Sequence, residues 1–336
     1  MRHSVFNQAQ LFPSSEPDSL SSSFPQKTTQ YSCGKAIIVG EHAVVYGARA
    51  VAIPILDFRM KATLTPTSPS RAFSSETVVA ALPIEVSIGG HPASPLLRDV
   101  VEEACQLLRL SPFSFSLVGY PHLPLGAGLG GSASLCVVIL KALSVACQRQ
   151  LDVQELAFLA NQLEKRFHGT PSGLDTSVVA FEQPISFVKG AAPIPIQLSP
   201  KQSWRFALID SGTRASTKVM IQQVAGFFQG AIGQKHVETF DALADQVETG
   251  FQLGDVSLVA HAMQQAQQLL DTAGTMTLAL REIIEATAEI GVLAAKVTGA
   301  GGGGCVLALL DPEQADAQVL RLEAMFSSKM VFSVSL

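Results

Sequence analysis

Hydrophobic and polar positions change period several times along the chain, and each change marks an element. Residues 31–65 are dense in Val, Ile and Ala and read as strands. Residues 94–110 have helical spacing, and residues 113–118 alternate as a strand does. A glycine-rich loop over residues 126–131 leads into a helix-like stretch, 132–148. Asp152, with Glu155 three residues on, forms a capping-box pattern for the next helix, whose apolar face is Val153, Leu156, Ala160, Leu163 and Phe167. Gly169-Thr170-Pro171 stops that helix, and residues 177–188 read as strand again.

The Pro-rich stretch that begins at Gly190 reads as a domain boundary, which gives a tail (1–30), an N-terminal domain (31–190) and a C-terminal domain (191–336). Beyond it the pattern predicts a strand over 205–209, several helices between 216 and 290, and a strand running into glycines over 292–304. A further strand, a helix and a last strand complete the chain. Helices gathered on one side of mixed sheets make an α+β fold class.

Composition narrows the function classes. Of 336 residues, 47% are hydrophobic and 15% charged, which suits a globular protein with a large core. A net charge of −5 without a long basic run argues against nucleic acid or an anionic membrane as partner. An anionic ligand must then be held by a local site. The five cysteines (Cys33, Cys105, Cys136, Cys147 and Cys305) are odd in number, widely spaced and lack a C-x-x-C pair, so a reducing, cytoplasmic setting is expected. The first 30 residues, rich in Ser, Pro and Gln, lack the order of a secretion signal and are expected to be disordered. No apolar stretch is long enough to suggest a membrane span.

Four clusters carry candidate chemistry. The first is Pro124-Leu125-Gly126-Ala127-Gly128-Leu129-Gly130-Gly131-Ser132-Ala133-Ser134, just ahead of a helix. Glycines let successive N–H groups converge and the helix N-terminus adds partial positive charge, which together make a phosphate cradle. Ser132 and Ser134 add hydroxyls, and Ser132 is placed to bind a metal that bridges phosphates. Gly126, Gly128 and Gly131 also satisfy G-x-G-x-x-G, but Pro121 and Pro124 separate them from the strand that a dinucleotide fold requires. The Gly-Lys-Ser/Thr of a Walker loop is absent, and an unliganded tight turn is a further alternative.

The second cluster brackets an apolar strand with Lys35 on one side and Glu41 and His42 on the other. Singly, these would read as a surface lysine and a structural histidine. In the third, Glu164 and His168 lie one helical turn apart, and the Gly-Thr-Pro-Ser-Gly break lets Asp175 return toward them. Two carboxylates beside a phosphate cradle suit metal binding plus a base, the alternative being a Glu164 ion pair and an Asp175 turn cap. The fourth is Lys296-Val297-Thr298-Gly299-Ala300 followed by Gly301 to Gly304 and Cys305. A run of glycines has no packing value, so close approach to a ligand or another loop explains it.

In this order, across nearly all the chain after residue 30, the clusters resemble the GHMP kinase superfamily, and most of all its mevalonate kinases. The stretches that carry the resemblance are 34–47, 168–175, 296–305 and Ser216-Thr217-Lys218. The resemblance implies a two-domain fold: an N-terminal domain like ribosomal protein S5 domain 2, and a ferredoxin-like C-terminal domain. It implies ATP and Mg²⁺ as cofactors, mevalonate as the small-molecule substrate, and a homodimer as the family-level assembly. It implies Asp175 as the base with Lys35 beside it, Ser132 and Glu164 on Mg²⁺, and residues 124 and 126–134 around the triphosphate. Glu41, His42, His168, Gly301 and Gly302 are implied near the acceptor, with residues 298–303 bracing the phosphate loop. Cys33 stands where the family usually has Pro, and Gly131 where it has Ser. Weaker nucleotide binding is the most that these differences are expected to cause. Other acceptors (phosphomevalonate or a sugar) and a non-catalytic regulator on the same scaffold are the competing readings.

Overall fold

The computed structural model describes residues 25–67, 84–111, 113–121, 126–326 and 331–336. Most of the expected tail, residues 1–24, lies outside them, as does Pro124. The tail ends earlier than expected: Thr28, Thr29 and Gln30 already belong to the first strand.

The N-terminal half is built on a seven-stranded sheet. β1 (Thr28–Val39) runs antiparallel to the long β2 (Ala50–Pro66), joined by a 3-10 turn over Ala43–Tyr46. The other edge of β2 pairs with β5 (Phe115–Pro121) and with β6 (Ile185–Phe187). β3 (Ile84–Ile88) lies parallel to β5, and the connection between them passes through β4 (His91–Pro92) and helix α1 (Pro95–Leu107), as parallel strands require. β7 (Ile194–Pro195) pairs with β6, so the first sheet continues past Gly190. The second sheet has the order β11-β8-β10-β9, all antiparallel, from β8 (Arg205–Asp210), β9 (Ala294–Thr298), β10 (Cys305–Leu309) and β11 (Val331–Ser335).

Helices α2 (Gly131–Ala146), α3 (Val153–His168) and α4 (Leu174–Phe181) belong to the first half. The cap of α3 is half the expected box. Asp152 accepts from the Glu155 N–H at 2.7 Å, but the Glu155 carboxylate turns outward to Arg149, also at 2.7 Å. The strand expected over 177–188 is corrected: its first part is α4, and only Ile185–Phe187 is extended. Leu174, Thr176, Ser177, Val178, Val179 and Ala180 are all buried, so no polar face marks the helical period, and paired valines read as strand.

The second half adds α5 (Thr217–Val224), α6 (Gly230–Leu253), α7 (Val256–Thr272), α8 (Leu278–Ile290) and α9 (Ala315–Met325). Alternation in its sheet serves two cores. Phe206, Leu208, Leu307 and Leu309 face a cluster shared with Ile38, Ile53 and Ile55 of the first sheet and with Phe240, Val247 and Met263 of α6 and α7. Ala207, Ile209, Val306 and Ala308 face α8 and α9. This sheet is therefore covered on both faces, not on one as its helix pattern suggested. The shared cluster ties the two halves together by apolar burial. Among the described residues, no helix is long and apolar enough to cross a membrane.

Candidate active site

The site is assembled around β1. Its register against β2 breaks between Cys33 and Gly34, where three additional β2 residues are accommodated, and Lys35 follows at once. The Lys35 amide donates to the Leu129 carbonyl at 3.0 Å, which ties strand to glycine loop. Its side chain, 3% exposed, runs over Gly130: a Cβ there would lie 2.7 Å from Lys35 Cγ. Gly130 also has φ +75°, a conformation that glycine adopts without penalty. The ammonium ends 3.2 Å from Asp175 Oδ1.

Asp175 reaches that position because α3 stops at Gly169 and α4 starts at Gly173, whose φ is +95°. Ser172 Oγ accepts from the Leu174 N–H at 3.3 Å and helps to set the turn. Asp175 sits in the first turn of α4 with its side chain 38% exposed, so one partner is buried and the other is open to a ligand.

Within the glycine loop, Ala127 and Leu129 are buried anchors in the shared core, whereas Gly126 and Gly128 are exposed with φ near +74° and +81°. The loop is pinned from beneath and presents backbone outward. The N–H groups of the first turn of α2, at Gly131, Ser132 and Ala133, have no intrahelical acceptor by geometry. The Ser134 N–H makes the first helical bond, to Gly130 at 2.8 Å.

Ser132, Glu164 and His168 meet at the end of this loop. Ser132 Oγ donates to Glu164 Oε1 at 2.7 Å and lies 3.1 Å from His168 Nε2, and the two α3 side chains are 3.3 Å apart. Burial pushes the Glu164 carboxyl up to about 7. The negative charge of Asp175 pushes the same way, while hydrogen bonds from Ser132 and Cys136 and the charge of Lys35 oppose it. A buried carboxyl destabilised as an anion is a place where a cation gains affinity. Among the described residues, no group of three or more His, Cys, Asp or Glu side chains could hold a metal by itself. Two hard oxygen donors do fit Mg²⁺, which takes one or two protein ligands and completes its shell with phosphate and water.

Ser134 does not join that group. Its hydroxyl is fully buried and bonds Ser32 Oγ at 2.7 Å. Two residues along a helix turn through about 200°, so Ser132 and Ser134 face opposite ways. Glu41 is turned inward onto Lys296 Nζ, with its side chain 1% exposed. His42 is buried and donates from Nε2 to the Ala300 carbonyl at 2.8 Å, and burial lowers its pKa. Gly301 and Gly302 back onto the end of α7 and onto α5: the Gly302 N–H donates to Thr275 O at 2.7 Å, and a Cβ on Gly301 would meet Thr275 Cβ at 2.6 Å. The loop over residues 299–304 does approach the glycine loop, since a Cβ on Gly304 would lie 2.7 Å from the Ala127 carbonyl.

Three pairings were not legible in the sequence. Ser32 anchors α2, and Lys296 receives Glu41. Arg214, held by both oxygens of Asp210 at 2.7 Å, lies beside Gly126, where an added Cβ would be 3.5 Å from its Cδ. The lone lysine in an apolar strand was a signal for Lys296. Arg214 follows a Ser-Gly-Thr turn after β8, which only proximity in space links to the glycine loop.

Taken as chemistry, the arrangement sets an ammonium–carboxylate pair next to a backbone anion cradle and an oxygen-donor pair suited to a hard cation. Those are the components of phosphoryl transfer to a hydroxyl. Comparisons with known proteins agree. Residues 96–183 match the family model of the GHMP kinases N terminal domain, and residues 247–328 that of the GHMP kinases C terminal domain. The mevalonate kinase of Aeropyrum pernix is 29% identical over 291 residues, covering 82% of this chain and 86% of that protein. The crystal structure of L. major mevalonate kinase in complex with R-mevalonate matches with a TM-score of 0.76 at 22% identity, over 93% of this chain and 98% of that one. Streptococcus pneumoniae phosphomevalonate kinase matches with a TM-score of 0.74 at 18% identity, over 93% of this chain and 100% of that one. At such identities the structural matches establish a common fold.

Proposed function

The chain belongs to the GHMP kinase family, and from that premise we propose that it is a mevalonate kinase, which moves the γ-phosphoryl group of ATP to the 5-hydroxyl of mevalonate. The observation that carries the reading is the Lys35–Asp175 pair at 3.2 Å, closed over Gly130 of the glycine loop. Relatives named mevalonate kinase at up to 29% identity over most of the chain support the choice of acceptor.

Asp175 accepts the proton of the acceptor hydroxyl. The buried Lys35 ammonium favours both the carboxylate and the developing alkoxide, because charge interactions are stronger where water is excluded. A bond forms between the acceptor oxygen and the terminal phosphorus. The bond to the bridging oxygen breaks, and ADP leaves with that electron pair. Residues 126–133 bind the triphosphate through backbone N–H groups, and holding both partners in line lowers the barrier further. Ser132 Oγ and Glu164 would hold Mg²⁺, which when bound neutralises charge on the phosphate oxygens. Residues 31–190 carry nucleotide and catalysis in this reading, and residues 191–336 brace the loop. Five free cysteines suit a cytoplasmic setting.

A coupled ADP-release assay with ATP, Mg²⁺ and mevalonate, run beside phosphomevalonate and a panel of sugars, tests the assignment. Turnover of mevalonate above all others is expected. Turnover of a different alcohol, with none of mevalonate, removes the acceptor assignment and leaves the family.

A further inference from the structure

Lys296 is the most deeply buried charge among the described residues, fully enclosed between the two halves of the protein. Its ammonium contacts Glu41 Oε1, the Val297 carbonyl at 2.6 Å and the Ile37 carbonyl at 3.5 Å. Two residues on, and so on the same side of β9, Thr298 Oγ1 accepts from the Ile37 N–H at 2.8 Å and donates to its carbonyl at 3.2 Å. β9 therefore grips β1 through side chains at Ile37, two residues beyond Lys35. Immediately after Thr298 the chain meets the glycine loop: a Cβ on Gly299 would lie 3.3 Å from the Gly128 carbonyl, and one on Gly128 would lie 3.4 Å from the Thr298 carbonyl. Leu129, next along, accepts from the Lys35 amide.

These contacts close a ring that runs from β1 to β9, to the glycine loop and back to β1. Lys35 and Ile37 supply its two ends. Glu41 and Lys296 form the ion pair inside it, with side chains 1% and 0% exposed. Glu41 Oε2 is buried without a hydrogen-bond partner among the described residues. A buried ion pair with an unmet oxygen is a poor source of stability, since apolar replacements are often as stable. Its effect is to specify one geometry.

We propose that Glu41 and Lys296 are a positioning pair that locks β9 against β1 and thereby holds Lys35 over Gly130 in reach of Asp175. Glu41 is thus a pin inside the scaffold and not a ligand of the acceptor. The inference rests on the phosphoryl-transfer reading of the Lys35–Asp175 pair.

The test uses full-length Glu41→Gln, Lys296→Met and the double variant, with Thr298→Val as a milder break in the same ring. Each single charge variant is expected to lower kcat at least tenfold with KM for mevalonate within twofold of wild type. The double variant is expected to lose no more than the worse single, because the two act as one unit. Exchange of the Lys35 amide, read by NMR, is expected to speed up at least tenfold in every variant. A Glu41→Gln enzyme with raised mevalonate KM and intact kcat would make Glu41 an acceptor ligand and overturn the proposal. Wild-type kcat in the folded variants, or unchanged Lys35 exchange, overturns it equally. If the single variants do not fold, Thr298→Val and its Lys35 exchange decide. If the wild-type protein ignores mevalonate, the acceptor assignment fails, while amide exchange still decides the pairing.

Discussion

Lys35 and Gly130 share one volume: the lysine stem occupies the space that any side chain at position 130 would need. Gly130→Ala must move the lysine away from Asp175 and also strain a backbone at φ +75°. Forcing a non-glycine residue there costs about 1–2 kcal/mol. The expected result is a modest drop in the urea midpoint with a kcat loss of about 100-fold, the size of one lost charge contact in the transition state. Steady-state kinetics beside equilibrium unfolding separates the two effects.

Asp175→Asn keeps size and shape but cannot take a proton. Removing a general base costs about 10²–10⁴ in rate, so a kcat loss of about 10³-fold is expected. Calorimetry should show ATP affinity within a few-fold of wild type. Full activity in this variant ends the assignment of Asp175 as base.

The two serines of α2 should part company. Ser134→Ala removes a buried bond to Ser32 and is expected to cost about 1 kcal/mol of stability with kcat nearly unchanged. Ser132→Ala leaves Glu164 without its hydroxyl donor and should lose most activity at little cost to the unfolding midpoint.

Glu164→Gln removes the anionic member of the Ser132–Glu164 oxygen pair. The Mg²⁺ concentration for half-maximal rate should rise at least tenfold, while ATP-independent stability holds or improves because a buried carboxyl is gone. A titration of rate against Mg²⁺ at fixed ATP measures this.

His42 carries a pH signature. Burial holds its folded pKa below 6.5, so between that depressed value and 6.5 the unfolded chain binds more protons than the folded one. Its contribution to stability is therefore whole above 6.5 and is lost as pH falls through that window. His42→Gln can keep a donor toward Ala300 O without titrating. The difference in unfolding free energy between wild type and variant should shrink as the pH is lowered from 7 to 5, as read by urea titrations at each pH.

Local signals proved readable where the chain alone creates them. Asp152 before a 3.6-residue apolar period placed α3, and glycines ahead of a helix marked a loop that presents its backbone outward, because capping and backbone freedom are properties of neighbours in sequence. The buried stretch 174–181 hid its helix, since an element enclosed on all sides shows no period. Glu41 and Ser134 are likewise turned inward, onto Lys296 and Ser32, which no pattern in the sequence announced. Residue type and spacing name a polar group, but its direction follows from what packs around it.

By itself, then, the sequence determined most of the helices, the glycine loops, and the set of lysine, serine, glutamate and aspartate that the proposed phosphoryl transfer calls for, but not α4 or the β3–β4 pair. Tertiary structure alone decided which of them converge: Lys35 with Asp175, and Ser132 with Glu164, against Ser134 with Ser32 and Glu41 with Lys296. The members of these pairs lie between 32 and 255 residues apart in sequence. Burial of apolar cores brings such distant positions together: the cluster under α2 and α3 for Ser132 with Glu164, the cluster between β1 and α4 for Lys35 with Asp175, and the core shared by both sheets for Glu41 with Lys296.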